Sequence, residues 1–396
     1  MAESATCICA ESSYAHKRQI DKVVGTCKKW LHVEEDYNII APLADAVANF
    51  SNADPCIYGL VGPSGSIKTE IIRALGEAEN QYTYPISSIT EKTLVSGYDE
   101  SNDLIPRLNG RLLTIKDLTT ILSKNKESSS QIFADFREMT DGYIKKEFGN
   151  GVTKEYHNIT SSILFASTNA IEHFNSIYSS LGQRIIFQRP KNNRTEAMKR
   201  AQANTGKESQ MRNEISVAVN AFLDDKVPMV QVCGLPPMED DEILNNSYEF
   251  LALARTTIEK DFRGEIEEIP EPEFPTRIAK TVSQLCQVHA FIYDREEVTA
   301  EDRAFGARII KDNVPTQRWL VLSNMKMEWK PTGSIADAIK LPSSTTLRAL
   351  DDLTALGLVE RQHRDSDDYG SYRRSNLYRI TEETYNTVYN LDGMAL

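Results

Sequence analysis

The sequence CIYGLVGPSGSIKTEIIRAL, residues 56–75, decides the fold. An apolar strand leads into a turn of small residues, and a helical pattern follows through Ile71, Ile72 and Leu75. Small residues let successive backbone N–H groups approach an anion, and the N-terminus of a helix adds positive potential. The stretch therefore predicts a strand–loop–helix unit that binds phosphate.

The loop resembles the Walker A motif, G-x-x-x-x-G-K-[ST], and its residues are Gly62, Pro63, Ser64, Gly65, Ser66, Ile67, Lys68 and Thr69. In that motif the lysine reaches the β- and γ-phosphates of ATP, and the hydroxyl coordinates Mg²⁺. Ile67 stands where the pattern has glycine, and a β-branched side chain there could crowd the phosphates. ATP and Mg²⁺ are the expected ligands, and weak or absent hydrolysis is left open.

The composition is that of an ordinary soluble protein. The chain has 396 residues, 45 basic and 57 acidic, with a net charge of -12 and 40% hydrophobic residues. The length suggests two or three domains, and no apolar run is long enough to span a membrane. The acidic balance argues against a nonspecific nucleic-acid coat protein. Six cysteines without paired C-x-x-C spacing predict reduced thiols in the cytoplasm and no zinc site.

Short apolar strands alternate with helical patterns in the first half of the chain, which predicts an α/β core with a mostly parallel sheet. Further along, the pattern becomes helical, and the last part combines helices with two strands. Four segments are predicted: an N-terminal helical segment at 1–38, an αβα core at 39–191, a helical subdomain at 192–313 and a C-terminal domain at 314–396.

Asp117 is the candidate carboxylate for Mg²⁺ because it follows the apolar strand 112–115. The usual form of this strand ends in Asp-Glu, whereas here it ends in Lys116-Asp117. Either Asp117 holds the metal and the catalytic glutamate is missing, or Asp117 takes the second position and Lys116 the first. Asp135 and Glu138, on the following helix, are the fallback carboxylates.

The order of these motifs and the next ones resembles the AAA+ ATPase family over residues 40–315. The strand ILFAS ends at Thr168-Asn169, and Asn169 matches sensor 1, whose polar side chain orients the attacking water. The resemblance implies an αβα P-loop core, a helical lid over 192–313, ATP hydrolysis and assembly into a ring, for which a hexamer is the expectation.

Two arginines complete this resemblance. The segment LGQRIIF, residues 181–187, is similar to the family's arginine-finger segment, so Arg184 would reach the nucleotide of a neighbouring subunit. A guanidinium suits that role because it stabilises charge spread over phosphoryl oxygens. Arg189 is the alternative finger, and Arg277, at the start of a lid helix, resembles sensor 2.

Residues 143–160 contain two short alternating runs around Gly149-Asn150-Gly151, which is a hairpin signal. The placement is similar to a hairpin of the MoxR and minichromosome-maintenance branch of the family, which points into the central pore in helicases. Lys145, Lys146 and Lys154 would then contact a nucleic-acid backbone. The neighbouring glutamates leave open an ordinary solvated hairpin.

Residues 333–380 resemble the winged-helix domains of bacterial regulators, with a helix, a turn, a second helix and two strands. The predicted DNA contacts are Ser343, Ser344, Thr345, Thr346, Arg348, Arg373 and Arg374. Six arginines and six acidic residues across 343–380 give no net charge, whereas DNA readers are usually more basic. A winged helix that docks a protein is therefore an alternative.

Together these features predict a cytoplasmic, oligomeric ATPase that acts on DNA as a helicase-like motor, a loader or a remodeller. Two alternatives remain open at this point. One is a nucleotide-gated winged-helix transcription regulator. The other is a MoxR-like chaperone that acts on protein partners.

Overall fold

A computed structural model of the chain describes residues 18–76, 80–108, 110–174, 184–269, 271–364 and 375–394. The chain divides into two compact units. The first is Met1–Met238 with Gln284–Val298, and the second is Glu239–Ser283 with Thr299–Leu396. Of the segment predicted as a lid, residues 239–283 and 299–313 belong to the same unit as the predicted C-terminal domain, and the rest belongs to the first unit. Within the described ranges, no helix is long and apolar enough to cross a bilayer.

In its described residues, the first unit contains seven strands. They are β1 (Ile57–Val61), β2 (Thr83–Ile86), β3 (Leu112–Ile115), β4 (Tyr143–Glu147), β5 (Thr153–His157), β6 (Ile163–Ser167) and β7 (Ile185–Gln188). Five of them form a parallel sheet in the order β2-β3-β6-β1-β7. Every residue of β1, β3 and β6 is buried, as expected for a sheet covered on both faces. The predicted α/β class with a central parallel sheet is confirmed.

Eight helices belong to the first unit in the described residues. They are α1 (Gln19–Trp30), α2 (Tyr37–Ala48), α3 (Lys68–Gly76), α4 (Ile105–Leu108), α5 (Thr119–Leu122), α6 (Lys126–Thr140), α7 (Arg194–Ala203) and α8 (Glu208–Cys233). The sequence of α2 predicts an amphipathic helix, but every residue from Asn38 to Ala48 is buried. The reason is that α2 packs against α1 and α8 as well as against β1 and β6.

Strands β4 and β5 form the antiparallel hairpin expected from Gly149-Asn150-Gly151, with Lys145 opposite Glu155 and Lys146 opposite Lys154. Gly151 adopts φ +82°, which explains the glycine at that turn position. Ile144 faces the main core together with Ile159, just beyond the hairpin. The hairpin is thus a packed part of the first unit.

The second unit is mainly helical. Its elements are α9 (Glu242–Arg255), β8 (Glu259–Lys260), β9 (Ile266–Glu268), α10 (Thr276–Ile292, which continues into the first unit), α11 (Ala300–Asn313), α12 (Thr316–Leu322), β10 (Lys330–Pro331), α13 (Thr332–Ile339), α14 (Ser343–Ala355), β11 (Val359–Arg364), β12 (Ser375–Ile380) and α15 (Glu382–Met394). Strands β10, β12 and β11 form an antiparallel sheet in that order. The order α13, α14, β11, β12 follows the order predicted for the C-terminal domain.

Candidate phosphate-binding site

The loop 62–67 begins at the carboxyl end of β1, where three parallel strands meet. β1 lies between β6 and β7, and Val61 is paired with Ser167 at the last position of β6. The N–H of Gly62 donates to the carbonyl of Ser167 at 3.2 Å, which continues the ladder one residue into the loop. The loop is therefore anchored to the sheet at its first residue, and α3 begins directly after it.

The middle of the loop is open to solvent. Pro63, Ser64 and Gly65 are exposed, and Ser66 is half-buried. Gly65 has φ +79°, a left-handed conformation that other residues adopt only with strain. A turn of this kind at a helix N-terminus leaves backbone N–H groups facing solvent, which is the geometry that binds anions.

Lys68 folds back over the loop. Its Nζ donates to the carbonyls of Gly62 and Pro63, both at 2.7 Å, and to Ser66 Oγ at 2.8 Å. Burial lowers the pKa of Lys68 below its usual value, and the negative charge of Asp117 opposes this effect. The ammonium is thus held by neutral oxygens in a place of low hydration, where its attraction for a phosphate is strengthened.

Ile67 does not cover the open part of the loop. Its side chain is only 6% exposed, so its methyl groups face the interior. Its carbonyl accepts the first bonds of α3, from the N–H groups of Glu70 and Ile71. The expected crowding of phosphates by Ile67 therefore finds no support in the position of this side chain.

Asp117 lies at the same edge of the sheet. It follows β3, is exposed, and accepts the N–H of Thr119 through Oδ1 at 2.9 Å. The next residue, Leu118, donates its N–H to the carbonyl of Ala166 in β6 at 2.8 Å. The negative charge of Asp117 raises the pKa of Lys68, so the two side chains interact electrostatically.

The fallback carboxylates lie elsewhere in the first unit. Asp135 is buried, forms an ion pair with Lys146 and accepts from Gln131 Nε2 at 2.8 Å. Glu138 has a pKa raised by partial burial and then by the charge of Asp135, and it lines a cleft of about 430 Å³ beside the hairpin. Of the three candidates, only Asp117 acts on the pKa of Lys68.

Asn169 stands between these two groups along the sheet edge. It comes two residues after β6, the strand that separates β1 from β3, and it opens a short 3₁₀ helix, Asn169–Phe174. Its side chain is exposed. The carboxyl ends of β1, β6 and β3 thus carry the loop, Asn169 and Asp117 side by side.

The sequence does not predict a role for Ser167 at this site. Its Oγ is buried and has no hydrogen-bond partner within the described residues. Its carbonyl, by contrast, accepts the N–H of Gly62 at the start of the loop. A buried hydroxyl of this kind normally has a partner. The only sequence signal is a small polar residue that ends an apolar strand, and that signal is too common to assign a site.

Arg184 is engaged within its own chain. Its guanidinium contacts the carboxylate of Asp141, which caps the end of α6, and donates to the carbonyl of Arg137 at 3.3 Å. The side chain is 10% exposed. The alternative finger, Arg189, stands over the ring of Phe187 at 5.8 Å. Residues 181–183 of the predicted finger segment lie outside the described residues.

Arg277 is the second residue of α10 and belongs to the second unit, whereas the other candidate catalytic residues belong to the first. It is exposed. Its predicted role as sensor 2 stays a prediction.

The hairpin lysines differ from one another. Lys154 is buried, with its Nζ 2.6 Å from Asp103 Oδ2, and Tyr156 donates its hydroxyl to the same oxygen at 2.7 Å. Lys146 forms an ion pair with Asp135 at 18% exposure. Lys145 is exposed, 3.9 Å from Glu147. Of the three predicted phosphate contacts, Lys145 alone has a largely exposed ammonium.

The predicted contacts of the C-terminal domain also separate into groups. Ser343, Ser344 and Arg348 are exposed at the start of α14, and Thr345 is half-buried. Thr346 is 0% exposed, and its hydroxyl donates to the carbonyl of Pro342 at 3.1 Å, so its position offers nothing to a ligand. Arg373 and Arg374 lie outside the described residues.

No family model matches the sequence, and no curated protein matches it. Among the described residues, no group of three or more histidine, cysteine, aspartate or glutamate side chains could hold a metal ion. A magnesium ion bound to a nucleotide does not require such a group, because one hydroxyl, one carboxylate, phosphate oxygens and water complete its six ligands.

Proposed function

We propose that this chain is an ATP-binding AAA+ ATPase that works on DNA as an oligomer. The observation that carries the proposal is the exposed loop at the carboxyl end of β1, with the ammonium of Lys68 folded over it and α3 directly behind it. This combination presents backbone donors, a helix N-terminus and a positive charge to one anion.

The positions of the side chains support the following proposed roles. Lys68 would exchange its bonds to loop oxygens for bonds to the β- and γ-phosphates. Thr69 and Asp117 would hold Mg²⁺, which neutralises charge on the phosphates. Asn169, on the intervening strand, would orient the water that attacks the γ-phosphate in line.

The proposed trans-acting role of Arg184 requires an exchange of partners. In the isolated chain its guanidinium is paired with Asp141. Assembly of the oligomer would have to release this pair before Arg184 could reach a neighbouring nucleotide. This supports a chain that hydrolyses ATP slowly as a monomer and faster once assembled.

Support for DNA as the target comes from the C-terminal domain more than from the hairpin. Ser344 in the first turn of α14 and Arg348 in the second turn are exposed, and antiparallel strands β11 and β12 follow this helix. Small polar and basic residues at this place suit phosphate and base contacts. The burial of Lys154 removes it from the proposed contacts, which leaves Lys145 on the hairpin.

The test is calorimetric titration of the full chain with Mg-ATP, for wild type and Lys68→Ala. Loss of the ammonium should abolish measurable binding. Lys199→Ala, which removes an exposed lysine of α7, is the matched control and should bind as wild type does. Equal ATP affinity in wild type and Lys68→Ala would end the P-loop assignment.

One alternative is favoured by a specific observation. Lys116-Asp117 follows β3 in place of the usual Asp-Glu, and Arg184 is paired within its own chain, so ATP could act as a switch in a winged-helix transcription regulator. ATP turnover measured with and without single- and double-stranded DNA, beside a sizing experiment, separates the two. DNA-stimulated turnover of an oligomer supports the motor, and slow turnover with sequence-specific duplex binding supports the regulator.

A further inference from the structure

A short hairpin of the second unit carries an aromatic side chain that is almost fully exposed. Strands β8 and β9 and the residue that follows them, residues 259–269, are called the acidic hairpin here. Phe262 at its turn is 91% exposed, and Ile269 just after β9 is 51% exposed. Exposed aromatic side chains are among the residues that anchor protein–protein contacts.

The turn that carries Phe262 is held in one shape. Asp261 Oδ1 accepts the N–H groups of Arg263 and Glu265 at 2.8 and 2.9 Å. The N–H of Gly264, which has φ +84°, donates to the carbonyl of Asp261 at 3.0 Å. A preorganised turn loses little conformational entropy on binding, so the backbone that presents Phe262 is already in place.

The base of the acidic hairpin is fixed as well. Lys260 Nζ lies 2.6 Å from Asp352 Oδ1 on α14. This ion pair satisfies one of the two basic residues of the acidic hairpin. The other, Arg263, has its guanidinium 5.1 Å from the centre of the Phe262 ring. Both basic side chains are therefore in contact with groups of the second unit.

The charge of this surface selects the partner. The acidic hairpin has five acidic and two basic residues, and Glu265, Glu267 and Glu268 are all exposed. Nucleic acids and anionic membranes would be repelled. Pairing with the same acidic hairpin of a second copy is also disfavoured, because both surfaces carry an excess of acidic residues. What remains is a protein surface with an apolar pocket bordered by lysine or arginine.

We propose that the acidic hairpin is a docking site for a basic protein partner, with Phe262 as the anchor that enters an apolar pocket. The glutamates around it would steer the encounter and set its salt dependence, while Phe262 would set the lifetime of the complex. The inference uses only the second unit and stands apart from the proposed ATP chemistry.

The test selects binders from a displayed library of random 15-residue peptides on the full-length protein, with Phe262→Ala as the counter-selection target. We expect the enriched peptides to combine lysine or arginine with large apolar residues. Fluorescence anisotropy of the best synthetic peptide should give at least a tenfold weaker affinity for Phe262→Ala. Replacing Glu265, Glu267 and Glu268 together by glutamine should weaken binding and flatten its dependence on salt.

Tyr98→Ala removes another largely exposed aromatic side chain, 73% exposed and in the first unit, and is the control, which should bind within about twofold of wild type. Phe262→Ala should keep the wild-type melting temperature, because so exposed a side chain adds little to stability. Enriched peptides that are acidic or indifferent to Phe262 would overturn the proposal. Self-association of wild type that Phe262→Ala abolishes, seen by sedimentation, would overturn it in favour of a second copy.

Discussion

Replacing Lys154 by methionine is expected to destabilise the first unit, because its ammonium neutralises a carboxylate that has no contact with water. The side chains of Lys154 and Asp103 are 3% and 0% exposed. Removing one partner of a buried ion pair costs about 3–5 kcal/mol, since the other charge stays buried without compensation. Tyr156 and Ser96 still donate to Asp103, so we expect the lower end of this range.

The measurement is urea unfolding of the full-length chain followed by the fluorescence of Trp30, which is buried in the first unit. The other two tryptophans, Trp319 and Trp329, are replaced by phenylalanine in every variant so that the signal reports on this unit. Lys145→Met, on the exposed face of the hairpin, is the control and should stay within about 0.5 kcal/mol. A loss below about 1 kcal/mol for Lys154→Met at unchanged slope would refute the buried pair and restore Lys154 as a candidate nucleic-acid contact.

The same pair predicts a pH dependence. Burial alone would raise the pKa of Asp103, but hydrogen bonds from Lys154, Tyr156 and Ser96 outweigh it and lower the pKa below the usual 3.8. A carboxyl with a lowered pKa contributes stability above its unfolded-state pKa, and this is lost as the pH falls through the folded value. Acid unfolding of Lys154→Met should therefore begin at a higher pH than in wild type, and Asp103→Asn should not show this contribution.

Two further predictions concern the proposed ATP site. Arg184→Ala should leave ATP affinity unchanged and lower ATP turnover by the oligomer about 1000-fold or more. Asp141→Ala, which frees the guanidinium of Arg184, should not lower turnover. Loss of turnover in Asp141→Ala but not in Arg184→Ala would contradict the arginine-finger role. As the pH rises, ATP affinity should fall at a lower pH than the deprotonation of an ordinary lysine would predict, because the pKa of Lys68 is lowered from 10.5. Asp117→Asn should move this fall to still lower pH, because it removes a charge that raises the pKa of Lys68. A fall that stays at the same pH, or moves to higher pH, would show that Asp117 does not act on Lys68.

The sequence predicts those features that depend on neighbouring residues. The apolar run before Gly62 and the helical pattern after Lys68 are patterns of consecutive residues, so the sequence alone predicts the strand, the loop and the helix. The burial of Lys154 could not be predicted, because its partner Asp103 is distant in the chain. The alternating pattern of β5 also does not show which face of the strand packs against the first unit. Thr346 is similar: its spacing on α14 fits a ligand contact, but packing of the helix turns it inward.

The strand order has a chemical consequence for the proposed site. Neighbouring strands lie roughly 4.8 Å apart, so β6 between β1 and β3 places Asp117 about 10 Å from the strand that carries the loop. Were β3 adjacent to β1, the carboxylate could pair directly with Lys68 and compete with a phosphate for it. With β6 between them, Asp117 raises the pKa of Lys68 from a distance while neutral oxygens hold the ammonium. The gap leaves room for phosphates, a metal ion and the water that Asn169 would orient.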